Sequence, residues 1–210
     1  MATTYKSFLN NDVTSTRTLL HEAIPITGTI VSGTYSEAST TTSNIKNYAH
    51  RMFQSVYDYP YLSSSANHIF DLTCGYSSNS GLSGATNVAA DQYKKINLYN
   101  QMAQMLVGHD ISGNIRQFDQ DGDLVAGGTK MTEVFFINYA RLLTKDEVKK
   151  GSYSLTFLTG GTQITPTNQL TIADHNAQNE FRINSPAGEY GILYTSSATP
   201  NTDSGVGHLY

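Results

Sequence analysis

The sequence predicts an α+β fold, with two helices in the N-terminal half packed on a mainly antiparallel β-sheet from the C-terminal half. Three observations predict it. Apolar residues recur with a helical period as far as Gly108. Beyond it the period falls to two. Breaks at Gly, Pro and Asn/Asp then cut the later apolar runs into short strands.

Residues 1–43 are expected to form an arm and connector, and residues 44–210 a single domain. Ser7-Phe8-Leu9 and Thr18-Leu19-Leu20 are small apolar clusters, and Pro25 breaks any helix between them and the short strand expected at Ile26–Val31. The Thr/Ser-rich stretch Ser36–Ser43 has no helical stripe and reads as an exposed loop. Such an arm either reaches a neighbouring subunit or is a loose terminus, the commoner case.

The first helix is expected to start after Ser43, a good N-cap. Ile45, Tyr48, Ala49, Met52, Phe53 and Val56 follow at i, i+3, i+4, i+7, i+8 and i+11, one face of a helix, and Pro60 ends it. Ile69–Cys74 is apolar enough to be buried, and Gly75–Asn87 reads as a long loop. A second helix is predicted from about Val88 to Val107, with Ile96, Tyr99, Met102, Ala103, Leu106 and Val107 as its stripe and Gly108 as terminator.

After Gly108, Ile115–Phe118 is expected to pair across a turn at Asp119–Asp123. Glu133–Tyr139 and the strictly alternating Ser152–Leu158 are the strongest strands. Leu170–Ile172, Phe181–Ile183 and Tyr190–Tyr194 supply three more. The chain stops in the strand-like Gly205–Tyr210, so either that strand pairs with another chain or the natural polypeptide continues past Tyr210. The second reading is preferred.

Composition narrows the function classes. Only 14% of residues are charged, against a usual quarter or so, so Thr, Ser, Asn, Gln and Tyr must cover much of the surface. Such a surface packs against neighbours without long-range repulsion. Tyrosine is abundant, 14 residues against 8 Phe and no Trp, and is enriched at interfaces because its ring is apolar and its hydroxyl wet. The net charge of −4 and the lack of Lys/Arg clusters argue against nucleic acid. No apolar run approaches the roughly 20 residues of a membrane helix. The single cysteine, Cys74, excludes an intramolecular disulfide and suits synthesis in a reducing cytoplasm.

Asp119-Gln120-Asp121-Gly122-Asp123 places carboxylates at alternate positions, as a calcium loop does. Leu124 and Lys130 occupy the positions where an EF-hand has glycine and a bidentate acid. Asp-Gly is also a strong hairpin-turn signal. The segment is therefore read as a turn, with a weak surface cation site as the alternative, and no metal ligand is assigned.

His21, His50, His68, His109, His175 and His208 have no metal-site spacing and read as surface or capping histidines. Cys74 is expected to be a small buried thiol. No nucleophile elbow, phosphate loop or dinucleotide fingerprint occurs, so no catalytic or cofactor residue is assigned and no cofactor is expected. Gly127-Gly128 and Gly160-Gly161 read as turns. Lys145–Gly151 reads as one solvated helical turn with a wet charged face of little energetic value.

The stretch Thr132–Thr159 carries a resemblance. Phe135-Phe136-Ile137-Asn138-Tyr139-Ala140-Arg141, Lys145 and Lys149-Lys150-Gly151-Ser152-Tyr153-Ser154-Leu155-Thr156-Phe157 resemble a segment of virion structural proteins of T4-like contractile-tailed phages, marine ones especially. Gly188–Tyr194 and Gly205–Tyr210 look like its continuation, so the likeness covers about the C-terminal half. It implies a non-enzymatic particle component of the tail, baseplate or neck, made in the host cytoplasm, whose partners are other virion proteins and copies of itself. A glycan- or receptor-binding module, with tyrosines between Tyr57 and Tyr76 stacking on sugars, is the rival expectation. A wall-degrading hydrolase would need paired carboxylates in a cleft, and the dense acids fall in the turn.

Overall fold

The computed structural model describes residues 42–84, 90–124, 127–144, 147–161, 166–195 and 205–210. The expected strand at Ile26–Val31, and nearly all of the arm and the Thr/Ser loop, lie outside the described residues.

The fold is α+β and its strand pairings are antiparallel. A four-stranded sheet runs in the order β1 (Ile45–Asn47), β2 (Gln54–Tyr57), β3 (His68–Tyr76) and β6 (Glu133–Tyr139). A second sheet runs β11 (Gly207–Leu209), β10 (Gly188–Thr195), β8 (Pro166–Ala173) and β7 (Ser154–Gly161), with β9 (Phe181–Ser185) also paired to β10. A two-residue ladder joins β4 (Phe118–Asp119) to β5 (Lys130–Met131). The helices are α1 (Ala90–Leu106) and the single turn α2 (Arg141–Thr144).

The helix expected over Ile45–Val56 is instead the β1–β2 hairpin, with Asn47 opposite Gln54 and Ile45 opposite Val56. The helical spacing was a coincidence that long-range pairing overrides. Val56 and Tyr57 are β-formers, and β3 offers β2 a full set of ladder partners from Leu72 to His68. Ser43 is not an N-cap; its hydroxyl accepts from Ile45 N at 3.1 Å in a local turn. The hairpin's own turn holds Arg51 at φ 56 and stacks Tyr48 on His50, ring centroids 5.2 Å apart. The two helices are therefore not both in the N-terminal half, because α2 follows β6.

The second predicted helix is α1. Tyr99, Ala103 and Val107 are fully buried along its stripe, and Phe118 completes the cluster with Val134 and Phe136 of β6. Gly108 (φ +77) closes the helix by returning its N–H to Ala103 O, 3.0 Å away. The helix lies directly on β3, where a Cβ at Gly75 would stand 2.9 Å from Tyr99 N. Gly75–Tyr76 thus finish a strand rather than begin the expected loop, which starts at Ser77.

Three further expectations are corrected. Asp119–Asp123 does turn, with Gly122 N reaching Asp119 O at 3.3 Å, but it does not pair Ile115–Phe118 with the next residues. The partner of β4 arrives only at Lys130, after a longer loop. Gly160-Gly161 ends β7 with register shifts instead of turning. The helical turn of the described residues here is α2, while Lys145 and Asp146 of the turn expected at Lys145–Gly151 lie outside them. Lys149 is exposed, but Lys150 is not part of a wet face, since it lies between Glu147 and Glu189 at 2.7 and 3.0 Å, with side chains only 12–27% exposed.

Gly205–Tyr210 needs no other chain for its pairing. Gly207, His208 and Leu209 face Leu193, Ile192 and Gly191 of β10. A second core, Val148, Tyr153 and Leu193 with Tyr139, Leu155, Ile172 and Leu209 around them, binds the two sheets together.

Candidate functional site

The loop after β4 is where the two sheets meet. His208 of β11 donates from Nε2 to Asp119 O at 2.7 Å. Arg182 of β9 donates from Nε and an Nη to Asp121 O at 3.1 and 3.0 Å. Asn184 Nδ2 and the Tyr190 hydroxyl both reach Gly122 O at 2.8 Å. The loop backbone is thus gripped by side chains from three strands of the second sheet. Burial raises the Tyr190 hydroxyl to about 12, so it stays a donor throughout the ordinary pH range.

Asp119, Asp121 and Asp123 each offer an oxygen within 4.8 Å of the other two. Asp121 is half-buried and Asp123 exposed, while Asp119 is 0% exposed. Lys130, opposite Asp119 across the β4–β5 ladder, donates to Asp119 Oδ2. Asp119 Oδ1 has no hydrogen-bond partner. Burial pushes this carboxyl above its ordinary pKa; Lys130 opposes the shift, and Asp121 and Asp123 add to it. Sequence spacing had brought out the three acids, but nothing in it showed that Asp119 is buried.

His208 was not legible either. It is half-buried, packed between Tyr190 and Tyr210, whose rings lie 4.7 and 6.1 Å away. Desolvation lowers its pKa to about 4, only partly offset by the bond to Asp119 O. His50, His109 and His175 are exposed, and His68 is half-buried. His68 bonds Asp71 at 2.9 Å and faces Tyr57, which also packs on Tyr61. The rings of the Tyr57–Tyr61 stretch are thereby half-buried against one another. Cys74 is half-buried.

A surface cavity of about 470 Å³ opens where β2 diverges from β3. Tyr48, Arg51, Phe53, Cys74, Lys95 and Phe135 are among its walls. Lys95 is held by Met52 O and Thr73 Oγ1 at 3.3 and 3.4 Å, which commits its charge to the wall.

The β7–β8 hairpin is the third feature. Leu155 and Ile172 face each other on its apolar side and enter the second core. Two residues further out, Phe157 and Leu170 face each other on the same side but are 37% and 42% exposed. The opposite side is polar, with Thr156 and Thr171 hydroxyls 2.9 Å apart.

No helix among the described residues is long and apolar enough to cross a membrane. No family model matches the chain, and neither any curated protein nor any solved structure is similar to it.

Proposed function

We propose that this chain is a structural component of a phage particle, of the tail, baseplate or neck, acting through subunit contacts rather than catalysis. The observation that carries the reading is the β7–β8 hairpin, whose apolar side continues past the core through Phe157 and Leu170. An apolar strand face of this kind marks a place where another surface docks. The resemblance of Thr132–Thr159 to virion proteins of T4-like contractile-tailed phages reaches into β7, the first strand of the same hairpin, and the low charge suits close packing. Phe135, 74% exposed on the outer strand of the first sheet, adds a second apolar site for neighbours.

The partners are other virion proteins and copies of this chain. Peptides of the chain should be recovered from gradient-purified phage particles of the source culture in multiple copies per particle. Their absence from purified particles, with the chain present in the lysate, would sink the virion reading. Light scattering across a concentration series tests self-association: Phe157→Asp with Leu170→Asp should shift an oligomer towards monomer while the thermal midpoint stays near that of the parent.

A further inference from the structure

We propose that the loop Asp119–Asp123 is a divalent-cation site, and that calcium is the cation it fits. The site is assembled by the junction of the two sheets, not by the EF-hand pattern that the sequence fails to match.

The first ground is the unmet valence of Asp119. The two buried aspartates among the described residues are both 0% exposed, but they differ. Asp174 accepts from Gly151 N on Oδ2 at 2.7 Å and from Tyr153 N on Oδ1 at 2.9 Å. Asp119 has Lys130 on Oδ2 and nothing on Oδ1. Leaving a buried charged acceptor without a donor is unfavourable, and a cation on Oδ1 removes that cost. Room is provided beside this oxygen: a Cβ at Gly128 would stand 3.3 Å from Oδ1, and Gly128 carries none.

The second ground is the donor set. Oxygens of Asp121 and Asp123 lie with that of Asp119 inside a 4.8 Å span. Calcium binds oxygens at about 2.3–2.6 Å, so two ligands across the ion stand roughly 5 Å apart; magnesium, at about 2.0–2.1 Å, needs a tighter set. All-oxygen, carboxylate-rich ligands exclude the preferences of softer metals. The formal charge also matches, since three carboxylates and the Lys130 ammonium leave −2. Arg182 and Asn184 hold the loop by its carbonyls from behind, and the exposed side of Asp123 gives the ion its entry and its remaining water ligands. Lys130 repels the ion, which places the affinity in the weak class of calcium modules, about 10⁻⁴–10⁻³ M.

Protein stripped with a chelator is titrated with calcium chloride by calorimetry, with thermal midpoints recorded in parallel. The expected result is one saturable site in that range and a midpoint that rises with calcium. Asp121→Asn/Asp123→Asn should weaken binding at least tenfold and keep the chelator-treated midpoint of the parent. Tyrosine-sensitised terbium emission needs no variant: Tyr190, bonded to Gly122 O, should excite a bound terbium ion that calcium displaces. No saturable binding up to about 10 mM, ten times the weak limit of such modules, overturns the site, as does unchanged affinity in the double variant or terbium emission that calcium leaves intact. Tighter binding of magnesium than of calcium overturns the choice of ion.

Discussion

His208 donates its Nε2 proton to the backbone carbonyl of Asp119, 2.7 Å away and 89 positions earlier in the chain. Its other ring nitrogen lies 3.4 Å from the Tyr210 hydroxyl, so the neutral imidazole has a partner on each side. One side chain of the last strand thereby fixes the loop at the junction of the sheets.

This bond makes stability depend on acid. The folded pKa of His208 is about 4 and the unfolded one about 6.5, so the unfolded state binds the proton more readily. The contribution is fully present above about pH 6.5 and is lost as the pH falls through 4. The whole window is worth roughly 3 kcal/mol at 1.36 kcal/mol per unit. The groups facing the ring are Tyr190, Tyr210, Phe118 and the Asp119 carbonyl, with Asp121 and Arg182 acting on its charge. Urea midpoints between pH 4 and 7 should show a steeper decline for the parent than for His208→Asn. Parallel curves would mean that the ring is not buried as described.

The helix α1 rests on a glycine for a steric reason. Gly75→Ala places a methyl 2.9 Å from Tyr99 N and 3.1 Å from Lys95 O, both backbone atoms that cannot rotate away. The helix must lift off β3, an overpacking cost of about 1–3 kcal/mol. Gly81→Ala meets nothing within 4 Å and should stay within about 0.5 kcal/mol of the parent. Thermal denaturation of the pair checks this, and equal midpoints would contradict the helix-on-strand contact.

How much of this was written in the sequence depends on range. Where local pattern and packing agree, the reading was right: the stripe Ile96–Val107 with Gly108 is α1, and Glu133–Tyr139 and Ser154–Leu158 are strands. Ile45–Val56 shows the failure. Six apolar residues fell on a helical face, yet Val56 pairs with Ile45 across the hairpin and with Phe70 of β3, so pairing beyond the local window decides the element. Lys150 failed for the same reason, because Glu189 comes from a different strand. The three acids of the junction were visible as a motif. The features that decide their chemistry, the depth of Asp119 and the grip of Arg182, Asn184, Tyr190 and His208, come from strands 61–89 residues away.

Lys150 is the cation for two half-buried acids. Glu147 and Glu189 raise its pKa against the opposing effect of its own burial, so its contribution is present below the unfolded value near 10.4 and is lost only in stronger alkali. Lys150→Met removes the charge but keeps most of the stem, which takes the shared cation from between Glu147 and Glu189. Breaking fully buried pairs in this way costs about 3–5 kcal/mol; with side chains 12–27% exposed, water screens part of it and about 1–3 kcal/mol is expected. Chemical denaturation of parent and variant at pH 7 measures the loss, and equal midpoints would contradict the Glu147–Lys150–Glu189 bridge.

Tyr139 and Tyr153 join the first sheet to the second through their hydroxyls, 2.9 Å apart, with rings edge to face at 6.0 Å. Burial raises both hydroxyls above the ordinary tyrosine pKa, so each remains neutral and one donates to the other. Removing one oxygen orphans its partner. Tyr139→Phe and Tyr153→Phe should therefore each cost about 1–3 kcal/mol, the penalty of an unsatisfied buried polar group. The double variant removes both polar atoms and keeps both rings, so its loss should be smaller than the sum of the two and close to that of either alone. A double-mutant cycle by urea denaturation gives the coupling directly. Strict additivity would show that the two hydroxyls do not satisfy each other, and that the sheets are held together by ring packing with Leu193 and Val148 alone.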